Sequence, residues 1–236
     1  MTHLKSLAAP PHYPKPLGVF ATTPRPGPHP KDRSLPLILV VRDMLGLAED
    51  SRTAKKLIKA GKFRVDGRIV KEPRFPIGLM DVLSVEELGE DYRVITVPRA
   101  GLKPVKIPAD EAGYKICQIR VKKMVRGGRL QLGLHDGRSI LLDRESEYSS
   151  LRRLDSLKIS IPGQEILDVA RLEVNSYVLI HSGSKAGYHG RLKEVARDVA
   201  YPAKPTVEVL TSSNSIKTIL SHVMPVGVDS PWIALP

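Results

Sequence analysis

The twenty residues from Ser51 to Val70, SRTAKKLIKAGKFRVDGRIV, constrain the fold more than any other stretch, because a helix with both its ends and a complete hairpin can be read from them. At 100° per residue, Ala54, Leu57 and Ile58 fall in one arc and Arg52, Lys55, Lys56 and Lys59 in the opposite one. One side can enter a core; the other is almost wholly cationic. Asp50 or Ser51 can accept a bond from a free backbone N–H at the start, and Gly61 can take the left-handed conformation that closes the end. FRV and RIV then flank Asp66-Gly67, a dipeptide suited to a two-residue hairpin turn, where both residues need positive φ. Lys62, Arg64 and Arg68 carry the basic surface beyond the helix. From Arg52 to Arg74 nine Lys or Arg stand against two acids, Asp66 and Glu72, so this window supplies +7 of the formal +12 of 236 residues. Solvated helix faces usually mix signs to gain i, i+4 pairs, and this arc holds no acid. It reads as a surface for a polyanion.

A net charge of +12 leaves nucleic acid, an anionic membrane surface or an acidic protein as partner. No apolar run approaches the roughly 18 to 20 residues that span a bilayer, and the N-terminus lacks a hydrophobic secretory core. A soluble, cytoplasmic protein with no membrane partner is expected. The single cysteine, Cys117, cannot form an internal disulfide, and in YKICQIRV it reads as a buried structural thiol on a strand.

Nine of the 20 prolines lie in the first 36 residues, with Lys5, Lys15, Arg25, Lys31 and Arg33 opposed only by Asp32. Such spacing denies helix and central strand, so residues 1–36 are expected to be an extended basic arm that orders only against something else. The bland alternative is a flexible tail. LPLILVVRDMLGLAED predicts a buried helix from about Pro36 to Leu45, with a strand as the competing reading. After the hairpin a strand is expected around Asp81 to Val85. Asp81, Glu86, Glu87, Glu90 and Asp91 have no compensating base nearby in sequence, which suggests an acidic edge that would orient the domain.

The order helix, turn, basic helix in AGKFRVDGRIV, closing strand in DVLSV resembles the small RNA-binding domain shared by a ribosomal small-subunit protein, pseudouridine synthases and tyrosyl-tRNA synthetases. LPLILVVRDMLGLA, VDGRIV, FPIGLMDVLSV, GLHDGRSI and the terminal PWIALP, in that order along almost the whole chain, resemble the archaeal and eukaryotic family of small-subunit ribosomal proteins called four, e-type. That resemblance implies a structural, rRNA-binding role on the small ribosomal subunit, with neighbouring small-subunit proteins as further partners and no homo-oligomer.

From about Pro98 to Ala170 short alternating runs predict a β-rich domain. Leu130, Leu132 and Leu134 can share a face, and Leu157, Ile159 and Ile161 repeat the device. Lys122, Lys123, Arg126 and Arg129 cluster at the turn around Gly127-Gly128, where a phosphate contact and an ordinary charged hairpin end are equally good readings. In EVNSYVLIHSGSKAGYHGRLKEVAR, Gly183, Gly187 and Gly190 provide sharp bends and close backbone approach. This arrangement resembles the SH3-like, KOW-type barrel motif of several ribosomal proteins and elongation factors, with Lys185, His189 and Arg191 as contacts. The expected fold is therefore α+β and multidomain: an arm over 1–36, an S4-like domain over 37–97, a β-rich domain over 98–170 and a small barrel with the C-terminal segment over 171–236. Trp232 would pin the tail.

GSKAGYHG lacks the GK[ST] ending of a phosphate-binding P-loop, and no H-E-x-x-H or G-x-S-x-G motif occurs. His135-Asp136 is explained by the adjacent Asp136-Gly137 turn, and His181 and His189 have no cysteine or carboxylate cluster beside them in sequence. No catalytic residue, cofactor, metal or small-molecule substrate is expected. An RNA-modifying enzyme that docks RNA through the S4-like domain is the alternative, and a transcription elongation factor a more distant one.

Overall fold

The computed structural model describes residues 4–14, 18–143, 145–196, 202–212 and 214–235. The chain divides into two compact units, one formed by residues 1–96, 100–115 and 161–163, the other by 97–99, 116–160 and 164–236. The architecture is mostly β with a few short helices, so the expected α+β label overstates the helical share.

In the first unit, β1 (Leu4–Lys5) pairs with β2 (Phe20–Ala21), and β3 (Ser34–Pro36) leads into α1 (Leu37–Leu39). The helix continues as a π-helical turn over Val40–Met44, where the Leu45 N–H reaches the Val40 carbonyl at 2.9 Å. Leu37 to Val41 are all buried, so the predicted helix is present at 37–44 and the strand reading survives only in the three residues before it. The next helix, α2 (Ser51–Lys59), packs Ala54 and Ile58 into the same core. Strands β4 (Phe63–Val65), β5 (Arg68–Ile69), β6 (Pro76–Gly78), β7 (Val82–Val85), β8 (Glu90–Val97) and β9 (Gly101–Ile107) follow. They build a five-stranded sheet in the order β5-β4-β7-β8-β9, while β6 pairs with β3. Because β9 completes this sheet, the first unit reaches past the expected boundary at 97.

The arm is not free. Leu4 and Tyr13 join the core of the first unit, and the Arg74 carbonyl accepts from the Arg25 N–H at 2.8 Å. Proline prevents helix, but it leaves extended segments able to lie against a neighbour and bury their few apolar side chains.

A buried charged cluster ties this unit together. Lys115 donates to Asp66 at 2.8 Å and to Asp81 at 2.5 Å, and the His29 imidazole lies 2.9 Å from Asp81. The carboxylates also accept backbone N–H bonds, Asp81 from Gly78 (2.8 Å) and Asp66 from Val82 (3.0 Å). Burial by itself would raise the pKa of Asp81, but Lys115 and His29 outweigh it and hold the group below the ordinary carboxylate range. Burial, then repulsion from Asp81, pushes Asp66 the other way, against the pull of Lys115.

The second unit holds two five-stranded sheets. The first contains β10 (Tyr114–Met124), β11 (Leu130–Leu134), β12 (Ser139–Leu142), β13 (Ser156–Ser160) and β14 (Ile166–Ala170), ordered β12-β11-β10-β13-β14. Leu130, Leu132, Leu134, Leu157 and Ile159 share its core with Cys117, as expected. Ile161 does not: it lies beyond the end of β13, among the residues of the first unit. The other sheet contains β15 (Tyr177–Ile180), β16 (His189–Ala196), β17 (Thr206–Leu210), β18 (Ser215–Ile219) and β19 (Val223–Gly227), ordered β18-β17-β16-β15-β19. Gln118 Nε2 donates to the carbonyls of Val223 (2.8 Å) and Leu154 (3.1 Å) and so joins β10 to β19. Gly187, at φ +94°, combines a left-handed backbone with close approach: a Cβ there would lie 2.2 Å from the Pro98 nitrogen. The tail is anchored by buried Ile233, with half-buried Trp232 beneath Lys158, whose Nζ lies 5.8 Å from the ring centroid.

Candidate nucleic-acid interface

Helix α2 is bounded as its sequence dictates. Asp50 caps it by accepting from the Thr53 N–H at 2.6 Å, and Gly61 follows at φ +83°. That first bond, with the Thr53 side chain, also holds the Asp50 pKa below its usual value. With Ala54 and Ile58 buried and Leu57 partly so, the helix has one rotation open to it, and Arg52, Lys55, Lys56 and Lys59 all face outward. Among the described residues none of the four forms an ion pair. The hairpin turn is as expected, with Asp66 at φ +49° and Gly67 at +75°, and Arg68 is exposed beside it.

Lys62 and Arg64 differ from these. Lys62 pairs with Glu87 at 2.9 Å and Arg64 with Glu86 at 2.5 Å. The register that sets Arg64 opposite Ser84 makes Glu86 its diagonal neighbour across the strands. Glu90 is likewise bonded to Lys106, and Asp81 is buried. The expected uncompensated acidic edge is therefore wrong for four of the five acids: Asp81, Glu86, Glu87 and Glu90 are matched by bases distant in sequence, two of them candidate contacts, while Asp91 accepts from the Ser84 hydroxyl.

The other candidates fall in two places on the second unit. Lys122 spends its ammonium on the carbonyls of Ser149 and Leu151, both at 2.7 Å, which closes a loop onto the sheet. Lys123, one residue on, points to the opposite face of β10. Arg126 and Arg129 are exposed at the glycine turn, with Arg129 3.8 Å from Asp143. On β16, His189 and Arg191 share a face, and Lys185 is exposed in the loop before it. His189 Nδ1 is bonded to the Tyr177 hydroxyl at 2.8 Å, and Arg191 donates to the Asp229 carbonyl at 3.1 Å.

The metal question has one structural addition. Cys117, His135 and Asp136, never grouped by spacing, bring ligand atoms within 4.8 Å of one another. The three are tied into ordinary hydrogen bonds: His135 Nδ1 accepts from the Gln118 N–H (3.1 Å), and Asp136 accepts from the Cys117 thiol (3.5 Å) and Arg138 (3.2 Å). The cluster reads as a hydrogen-bonded turn.

Family models match three consecutive parts of the chain: the RS4NT (NUC023) domain over 2–32, the S4 domain over 37–83 and Ribosomal family S4e over 88–166. The small ribosomal subunit protein eS4 of Ignicoccus hospitalis is 41% identical over 242 residues, covering 99% of this chain and 94% of the relative. This chain belongs to the ribosomal S4e family. The eS4 protein of Methanocaldococcus jannaschii is 40% identical over 239 residues, covering 99% and 97% of the two chains. The crystal structure of the 30S ribosomal protein S4e from Thermoplasma acidophilum superposes with a TM-score of 0.71 at 29% identity, covering 84% of this chain and 96% of that one. The S4 match spans α1, α2 and the hairpin, so the outward face of α2 lies in the S4 domain of an S4e protein. Sequence reasoning missed that Lys55 also borders a cleft formed with the arm, because the residues facing it, Phe20 to Thr23, are some thirty positions away. Only the lone phenylalanine of the basic arm could have signalled it.

Proposed function

We propose that the chain is a structural constituent of the small ribosomal subunit that grips ribosomal RNA first through the outward face of α2. As an S4e protein it is non-enzymatic, and its S4 domain is the rRNA-binding part. The observation that carries the reading is the set Arg52, Lys55, Lys56 and Lys59 on one side of a capped helix whose other side is committed to the core. Arg68 adds a fifth cation. A rigid helix can present these charges to phosphates without ordering cost, and binding then gains from counterion release. Lys62 and Arg64 act as a reserve whose ion pairs with Glu87 and Glu86 must open before they meet phosphate.

In the second unit, Lys123, Arg126, Arg129, Lys185, His189 and Arg191 form secondary contacts. The antiparallel order of β15 to β19, with its glycine loop, supports reading that sheet as an SH3-like barrel of KOW type. Neighbouring small-subunit proteins would cover surfaces the RNA leaves open. Filter binding of the full chain to transcribed small-subunit rRNA tests the reading. Five phosphate contacts predict a log-log salt slope of about −3 to −5. The double variant Lys55→Glu/Lys59→Glu should lose most affinity with its circular dichroism unchanged. Retained affinity in that folded variant would remove α2 as the attachment surface.

A further inference from the structure

The cleft beside α2 has a volume of about 320 Å³ and lies wholly within the first unit. Leu4 and Ile38, both buried, and Pro73 give it an apolar lining. Phe20, Lys55 and Arg74 also line it, and among the described residues none that lines it is acidic. Phe20 is one of three phenylalanines in the chain and, on a short strand paired with Lys5, remains 59% exposed. Arg74 is held in position because its Nε donates to the Thr23 carbonyl at 2.7 Å. Glu72, the acid next in sequence, is engaged with the Arg25 guanidinium and the Arg74 N–H.

Resting on the reading of α2 as the rRNA-binding face, we propose that this cleft seats one unpaired nucleotide of the ribosomal RNA, its base against Phe20 and its phosphate between Lys55 and Arg74. Three features favour that occupant. Lys55 belongs both to the cationic face and to the cleft, so a backbone following the helix passes its mouth. The volume is at the small end of sites for single small groups, about 300–1,000 Å³, and too small for a duplex or a protein segment. An apolar slot with an exposed ring and two cations, with no acid among its described residues, matches a nucleotide's flat base and its charge. Thr22, Thr23 and Ser51 line the same cleft and carry hydroxyls that suit a base edge, that of Ser51 also accepting from the Arg42 guanidinium.

The test uses the full chain and transcribed small-subunit rRNA. Phe20→Ala should weaken binding about tenfold, in the range of one lost base stack, with the salt slope unchanged since no charge is removed. Phe20→Trp should bind like the parent. With 4-thiouridine in the RNA, photocrosslinks should map to the peptide that contains residues 20–23 and be lost in Phe20→Ala. If Phe20→Ala binds within twofold while Lys55→Glu/Lys59→Glu abolishes binding, the nucleotide seat is wrong and the α2 reading stands. If Phe20→Trp is as weak as Phe20→Ala, or Phe20→Ala flattens the salt slope, Phe20 only places the arm and the proposal fails. If the parent chain does not bind the RNA, the α2 reading itself fails.

Discussion

Replacing Asp81 with Asn probes how the first unit is held. The carboxylate is buried beneath Lys115 and beside His29, and Asn preserves its shape while removing its charge. Breaking a buried ion pair by removing one partner costs about 3–5 kcal/mol, because the remaining charge is left buried. Here Asp66 still faces Lys115, so the lower end, about 3 kcal/mol, is expected. Asp66→Asn should cost under about 1 kcal/mol, since the surroundings push Asp66 toward its neutral form. Asn also tolerates φ +49° and can still accept from the Val82 N–H. The signs with pH are opposite. The folded pKa of Asp81 lies below its unfolded value, so its stabilisation is present above about pH 4 and lost as the pH falls through the depressed value. That of Asp66 is raised, so its ionised form opposes folding at neutral pH, and the penalty fades as the pH falls through the raised value. Two compact units preclude assuming a single unfolding transition, so the assay is hydrogen exchange of the intact chain over residues 29–36 and 76–85. Asp81→Asn should accelerate exchange there roughly a hundredfold and Asp66→Asn less than about fivefold. Equal acceleration by the two variants would refute the asymmetry.

Three further outcomes follow from the same geometry. Because Lys62 and Arg64 are already paired, the double variant Lys62→Gln/Arg64→Gln should reduce the magnitude of the salt slope for rRNA binding by less than one, whereas Lys55→Gln/Lys59→Gln should reduce it by more. Gly187→Ala, with a Cβ 2.2 Å from the Pro98 nitrogen at φ +94°, should destabilise the second unit by about 2 kcal/mol or more, read as a lower unfolding midpoint with little change in the exchange of residues 29–36. Lys122→Gln should lower the melting temperature and leave rRNA affinity unchanged, since its ammonium serves the carbonyls of Ser149 and Leu151.

Sequence alone determined the features that depend on residues within one or two turns of each other: the ends of α2, the separation of Ala54 and Ile58 from Arg52, Lys55, Lys56 and Lys59, the Asp66-Gly67 turn, and the alternation of Leu130, Leu132 and Leu134. Helical and extended backbones have fixed periods, so such patterns can be read without knowing what they pack against. Tertiary structure decided the rest. It neutralised Lys62 and Arg64 with Glu87 and Glu86, gathered His29, Asp66, Asp81 and Lys115 into one buried cluster, docked the arm, and left a cleft between Phe20 and Lys55. Charge compensation acts through space at 3 to 4 Å, and which charges come that close is set by strand register and chain return, neither of which the local order of residues encodes.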